Sequence, residues 1–324
     1  MAERNMVGAL NLALARAMAE DEYVMLLGED IGVNGGVFRV TEGLSQRFGP
    51  LRVVDTPLAE GLIAGMSVGL AAQGLHPVAE IQFVAFAYPA IDQIANHAAR
   101  LRTRTRGRLT CPMVLRTPFG GGVHAPEHHC ESIEAMFAHI PGVRVVIPSS
   151  PAKAYGLLLS AIRDPDPVVF LEPTRLYRAT REEVEDDGIG IPLDRCFVTR
   201  EGRDLTFVTW GAMTREVAAA AEALAREGIQ AEIVDVATLK PLDADTILAS
   251  VEKTGRCVIV HEAPLTGGFG GEIAARIAER GMMSLLAPVE RVAGYDTVMP
   301  LPRLERVYMP DERRILAAAH RTMG

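Results

Sequence analysis

The chain has 324 residues and a formal net charge of −8, with 48% hydrophobic and 23% charged residues. That length buries a large core and suggests two domains of an ordinary globular protein. The acidic balance argues against a general nucleic-acid binder. No basic segment followed by an apolar stretch opens the chain as a secretion signal would. Apolar runs such as 77–91 are interrupted by Glu80 and Gln82 and are too short to span a bilayer. Cys111, Cys130, Cys196 and Cys257 have neither metal-ligand nor CxxC spacing. A cytoplasmic location with no membrane contact is the expectation.

Residues 6–19 carry apolar positions at a helical period. Residues 23–27 form a strand candidate ending in Gly28-Glu29-Asp30. Carboxylates there sit where open α/β sheets place ligands, beyond the carboxyl ends of strands. The glycines at 32, 35 and 36 make a turn but no GxGxxG, so no dinucleotide fingerprint is read. A short helix over 41–48 and a strand over 51–55 lead into residues 55–74, DTPLAEGLIAGMSVGLAAQG. Thr56-Pro57 reads as an N-cap followed by proline at the first helical position. Glu60 then falls near the end of the first turn, suited to a helix N-terminus. Gly61, Gly65 and Gly69 form a bare stripe at a cost of about 1 kcal/mol each. Either the helix is tightly packed with Glu60 as a capping charge, or it presents Glu60 to a ligand or partner.

A strand over 77–83, a helix over 89–101 and a strand over 112–116 follow. Arginines at 100, 102, 104, 106 and 108, in a chain with 30 arginines against 3 lysines, read as a solvated or interface face. Residues 117–129, TPFGGGVHAPEHH, are glycine-rich and irregular. His124, His128 and His129 lack the compact further ligands that zinc requires. One histidine acting on a substrate from a loop and a solvated loop histidine both remain open. Helix over 134–138, strand over 143–148, helix over 151–163 and strand over 168–172 complete an alternation expected of a parallel sheet with helices on both faces. The acidic run REEVEDDG within 178–197 reads as a linker. A second α/β unit follows: strands over 205–210, 231–236 and 257–261, and helices over 213–227, 243–251, 271–279 and 312–320. Apart from His261 and Glu262 it has few convergent ionisable groups and reads as mainly structural or docking surface.

Several segments, in order, resemble the beta subunit of a thiamine-diphosphate-dependent 2-oxo acid dehydrogenase E1 component of the two-gene kind. They are GEDIG at 28–32, GGVFRVTEGL at 35–44, DTPLAE at 55–60, EIQF at 80–83, AIDQI at 90–94 and HHCES at 128–132. PGVRVVIPSS at 141–150, AIRDPDPVVFLE at 161–172 and DVATLKPLD at 235–243 extend the likeness end to end. The resemblance implies an α/β fold of two domains. A pyrimidine-type thiamine-diphosphate-binding parallel-sheet domain would occupy 1–180. A transketolase C-terminal-like domain would occupy 201–324, with 181–200 as linker.

By the same resemblance, Glu60 matches the glutamate that shares a proton with N1′ of the cofactor's aminopyrimidine. Glu29 and Gln82 match positions lining the pyrimidine, and Phe86 the aromatic that packs on it. His129 matches the histidine that orients the 2-oxo acid or guides proton transfer to lipoyl, with Cys130 standing where the family usually has serine. The backbone around Met113, Ala161 and Ile162 with Asp164 and Asp166 resembles a K⁺ site of some members; by themselves these residues read as a structural turn. The glycine stripe resembles the region where two beta subunits meet. The diphosphate and Mg²⁺ would be held by an alpha subunit in an α2β2 heterotetramer, since this chain has no GDG followed by an Asn-containing run. The implied activity is oxidative decarboxylation of a 2-oxo acid, active only with alpha, with acyl transfer to a lipoyl-bearing E2. Branched-chain or mixed specificity is favoured slightly over pyruvate, and an acetoin dehydrogenase-type beta subunit is the alternative.

Overall fold

The computed structural model describes residues 2–324. The chain divides into two compact units. Residues up to Phe119 with Met136–Leu193 form the first, and Gly120–Ala135 with Asp194–Gly324 the second.

In chain order the first unit contains β1 (Ala2–Arg4), α1 (Met6–Glu20), β2 (Val24–Gly28), α2 (Leu44–Phe48), β3 (Val53–Asp55), α3 (Glu60–Ala72) and β4 (His76–Glu80). It continues with α4 (Ile91–Asn96), α5 (Leu101–Arg104) and β5 (Val114–Phe119). After α6 (Glu134–His139) come β6 (Arg144–Val146), α7 (Pro151–Arg163), β7 (Val168–Pro173) and β8 (Glu182–Val184). Its strands run parallel in the order β6-β7-β5-β4-β2-β3. Such strands are buried on both faces, and β5 and β7 are buried along their whole length. The local code is readable in α1, where the Asn5 side chain accepts the Gly8 N–H at 3.0 Å. In α7, Ser150 caps and Pro151 opens the helix.

Four sequence expectations need correction. Helix α3 begins at Glu60, which is its first residue; Ala59 is the N-cap and offers no side-chain bond. The Thr56 N–H instead pairs with the Gly28 carbonyl at 2.9 Å, so extended chain runs past β3 and Pro57 is spent in the connection. The helix expected over 89–101 is broken into a 3₁₀ segment containing Pro89, then α4, another 3₁₀ turn and α5. The acidic run near 182 is no free linker: β8 pairs antiparallel with β1, Ala2 opposite Val184. Gly61 and Gly65 serve close packing within the chain. Added Cβ atoms would lie 3.4 Å from the Pro89 carbonyl and 3.3 Å from Gln93, whereas one on Gly69 meets nothing within 4 Å. The five arginines are exposed; Arg102 pairs with Asp166 at 2.8 Å.

The second unit contains β9 (Phe197–Arg200), β10 (Leu205–Thr209), α8 (Met213–Arg226), β11 (Ala231–Asp235), β12 (Thr238–Lys240) and α9 (Ala244–Thr254). Then come β13 (Cys257–Pro264), α10 (Gly270–Arg280), β14 (Glu290–Gly294), α11 (Pro302–Tyr308) and α12 (Glu312–Met323). A five-stranded sheet has the order β14-β13-β10-β11-β9, parallel except for β9. Its core joins Leu205, Phe207, Val258 and Val260 to the inner faces of α8 and α12. β1, β9, β12, β14 and α11 were not read from the sequence, being too short or too irregular to show a period.

Candidate active site

The register of β4, β2 and β3 brings three chain ends together. Gly28 lies opposite both Asp55 and Glu80, so Glu29 and Gln82 emerge beyond adjacent carboxyl ends. Gly28 must lack a side chain, because a Cβ there would sit 2.8 Å from the Glu80 carbonyl. Asp55 folds the turn after β2 by accepting the Gly32 N–H at 2.6 Å and the Val33 N–H at 3.3 Å. Glu60 is the first residue of α3, whose N-cap Ala59 offers no side-chain hydrogen bond, and a carboxylate in the first turn is favoured by the helix N-terminus. Burial raises the pKa of Glu29, and the negative charges of Asp30 and Glu60 add to the shift. Glu29 and Glu60 are therefore electrostatic neighbours. Glu29, Glu60, Gln82 and Phe86 are all half-buried.

Phe86 rests on a row of rings. It meets Phe83 edge to face with centroids 5.6 Å apart, Phe83 meets Phe38 at 5.6 Å, and Phe38 meets Tyr177 at 4.9 Å. The Tyr177 hydroxyl donates to Glu172 at 2.5 Å. Arg116, buried on β5, donates from two nitrogens to the two Glu172 oxygens, each at 2.7 Å, and also to Glu80. One cation thus serves two buried carboxylates. Burial, opposed by Arg116 and reinforced by Glu172, raises the Glu80 pKa. In the sequence Glu80 showed only as an interruption of an apolar run. Charged residues inside otherwise apolar strands, at 80, 116 and 172, were the available signal.

His129 belongs to the second unit, on the Gly120–Ala135 segment, whereas Glu29, Glu60, Gln82 and Phe86 belong to the first. The segment closes on itself through the Gly120 N–H to the Glu131 carbonyl at 2.9 Å. His128 stands 4.0 Å from Glu131, and His124 Nδ1 lies 2.9 Å from Glu305. Cys130 is buried among Phe207, Met299 and Met309 with its thiol directed at the Ala125 carbonyl. Burial raises its pKa. It is an anchor in the core, not an exposed reactive thiol. Glu262 accepts the Gly121 N–H at 3.0 Å, and Glu305 accepts the Gly122 N–H. Glu305 went unremarked in the sequence because α11 is a single short helix. Among the described residues, no group of three or more His, Cys, Asp or Glu could hold a metal ion.

At the turn after α7, the Met113 carbonyl accepts the Val168 N–H at 3.0 Å and the Ala161 carbonyl the Asp164 N–H at 3.3 Å. Asp164 pairs with Arg144 and Asp166 with Arg102, each at 2.8 Å. These contacts tie the turn together within the chain.

Comparison with known proteins agrees with this architecture. The family model described as transketolase, pyrimidine binding domain, matches residues 2–180, and that of the transketolase C-terminal domain matches 194–315. The chain is 50% identical over 323 residues to the pyruvate dehydrogenase E1 component subunit beta of Bacillus subtilis, covering 100% of this chain and 99% of the relative. Counterparts of the same description in Staphylococcus epidermidis and Staphylococcus aureus are 49% and 48% identical over the same span. A solved structure described as a split gene transketolase, inactive beta4 tetramer, shares the fold with a TM-score of 0.82 at 24% identity, over 98% of each chain. The chain belongs to the family of beta subunits of thiamine-diphosphate-dependent 2-oxo acid dehydrogenase E1 components.

Proposed function

We propose that this chain is the beta half of an E1 enzyme that decarboxylates pyruvate oxidatively and passes the acyl group to a lipoyl-bearing E2. Relatives near 50% identical over the full length are named for pyruvate, which supports taking pyruvate, ahead of branched-chain 2-oxo acids, as the substrate. The observation that carries the chemistry is the convergence of Glu29, Glu60 and Gln82 at the carboxyl edge of the first sheet, where Gly28 lies opposite both Asp55 and Glu80.

These residues fit an aminopyrimidine. A carboxylate is available for a ring nitrogen, an amide and a second carboxylate for the exocyclic amine, and an aromatic face for packing. In this reading Glu60 holds a shared proton at N1′, Glu29 and Gln82 line the ring, and Phe86 packs on it. When bound, thiamine diphosphate supplies the carbon nucleophile and the electron sink for loss of CO₂. His129 orients the 2-oxo acid or moves a proton during transfer to lipoyl. As sequence domains we propose 1–180 and 201–324, with the 181–200 stretch that carries β8 between them. An alpha subunit completes the site with the diphosphate and Mg²⁺ contacts in an α2β2 assembly, and a second beta subunit packs beside α3. A K⁺ ion would be held by the carbonyls of Met113, Ala161 and Ile162, each with a lone pair to give, beside Asp164 and Asp166. Four unpaired cysteines suit a reducing compartment, and we place the assembly in the cytoplasm.

The test is co-expression with an alpha subunit, followed by decarboxylation rates with thiamine diphosphate, Mg²⁺ and an artificial electron acceptor. Faster turnover of pyruvate than of 3-methyl-2-oxobutanoate is expected. The reverse ratio reassigns the substrate. Activity on acetoin alone, in a well-formed complex, overturns the 2-oxo acid reading.

A further inference from the structure

We infer that Glu262 and Glu305 are positioning residues that hold the histidine-bearing segment Gly120–Ala135 in its working conformation. The inference rests on the reading of His129 above. The segment has an unusual backbone path: Gly120, Gly122 and His124 have φ of 85°, 97° and 56°. A non-glycine residue such as His124 holds that conformation only when its surroundings impose it.

The surroundings are two buried carboxylates. Glu262, at the end of β13, is 5% exposed, and Glu305, on α11, is 2% exposed. Between them they accept two successive backbone N–H groups, of Gly121 and Gly122, and Glu305 also meets His124 Nδ1. Hydrogen bonds to ionised acceptors are about twice as strong as neutral ones. Burying a carboxylate is costly unless such donors surround it.

The backbone is pressed onto the pair. A Cβ on Gly120 would lie 2.5 Å from Glu262 Oε2, and one on Gly121 3.1 Å from Glu305 Oε1. The far side of the segment is pinned by Cys130, buried in the second-unit core immediately after His129. The carboxylate pair at one end and the thiol at the other leave His129 little freedom to shift. The second unit therefore has a part in the chemistry, beyond structure and docking.

The test uses the assembled enzyme and two independent readouts, amide hydrogen exchange across 120–130 and the split between kcat and KM. In Glu305→Ala, exchange at 121–125 rises about tenfold or more. In the same variant kcat falls about 10- to 100-fold while KM stays within about threefold. Glu305→Gln keeps an acceptor for the Gly122 N–H and recovers most of both. Should Glu305→Ala fail to assemble, His124→Ala releases the same carboxylate from the exposed side and raises exchange about threefold. His129→Ala is the reference. If it leaves kcat unchanged, the role of His129 falls. If it abolishes kcat while Glu305→Ala, or His124→Ala where Glu305→Ala does not assemble, matches wild type in exchange and kcat, the positioning role is overturned.

Discussion

The imidazole of His261 lies flat on the indole of Trp210, ring centroids 5.2 Å apart and planes within 7°. The ring is fully buried, and neither nitrogen makes a hydrogen bond of good geometry. Gly268 and Gly270 close over it; a Cβ on either would come within 2.7 Å of the ring. Burial chiefly, and the positive charge of Arg291, lower its pKa to about 4. The neutral form is the folded form. Its contribution to stability is full above the ordinary value of about 6.5 and is lost as pH falls toward 4, by about 3 kcal/mol in all. Urea unfolding at pH 7 and pH 4.5 should show a smaller loss on acidification in His261→Leu than in wild type. Equal losses in the two would refute this account.

Arg116 holds together the group that ends in Phe86. Removing the cation from two buried carboxylates should cost about 3–5 kcal/mol, so Arg116→Met is expected to unfold at markedly lower urea. Adding Glu80→Gln and Glu172→Gln to that variant removes the stranded charges and should restore part of the loss. A triple variant no more stable than Arg116→Met would show that packing, and not charge, sets the cost.

The parts of the fold that could be read in advance share one property: their signal is local. The period of residues 6–19, the Ser-Pro start of α7 and the strand-helix alternation are written in neighbouring residues. What escaped depends on residues far apart. Thr56-Pro57 has the chemistry of a helix start, but a backbone bond to Gly28 extends the chain to Ala59. β8 exists because the N-terminal strand pairs with it, and no pattern within REEVEDDG announces that. The candidate site residues followed the same rule. Glu29 stood out because it follows a strand, whereas Glu305 acquires its role only by meeting Gly122 and His124 across the fold.

Glu60→Gln separates catalysis from assembly. Gln keeps the shape and a hydrogen bond but cannot take up a proton at this position. In the assembled enzyme kcat should fall about 10²-fold or more while the subunits still co-purify. Unchanged turnover would mean that the chain serves assembly alone.

All four cysteines are buried and unpaired, and burial raises each thiol pKa, that of Cys111 and of Cys257 to about 12. The thiolate is the reactive form. Ellman's reagent at neutral pH should therefore find no fast-reacting thiol in the native chain and all four after denaturation. Rapid labelling of Cys130 in the native protein would contradict its placement in the core.

Gly69 is the one member of the α3 stripe with open space above it, since Gly61 and Gly65 already pack against Pro89 and Gln93. Within the chain, Gly69→Ala should add about 0.5–1 kcal/mol of stability, because alanine restricts the unfolded backbone and meets no obstacle. If a second beta subunit packs beside α3, a larger side chain would obstruct it. Gly69→Phe should then shift the complex from α2β2 toward αβ in sedimentation, with the fold intact. A Gly69→Phe complex that stays tetrameric would place the beta–beta contact elsewhere and leave the glycine a helix cost with no offset in the assembly.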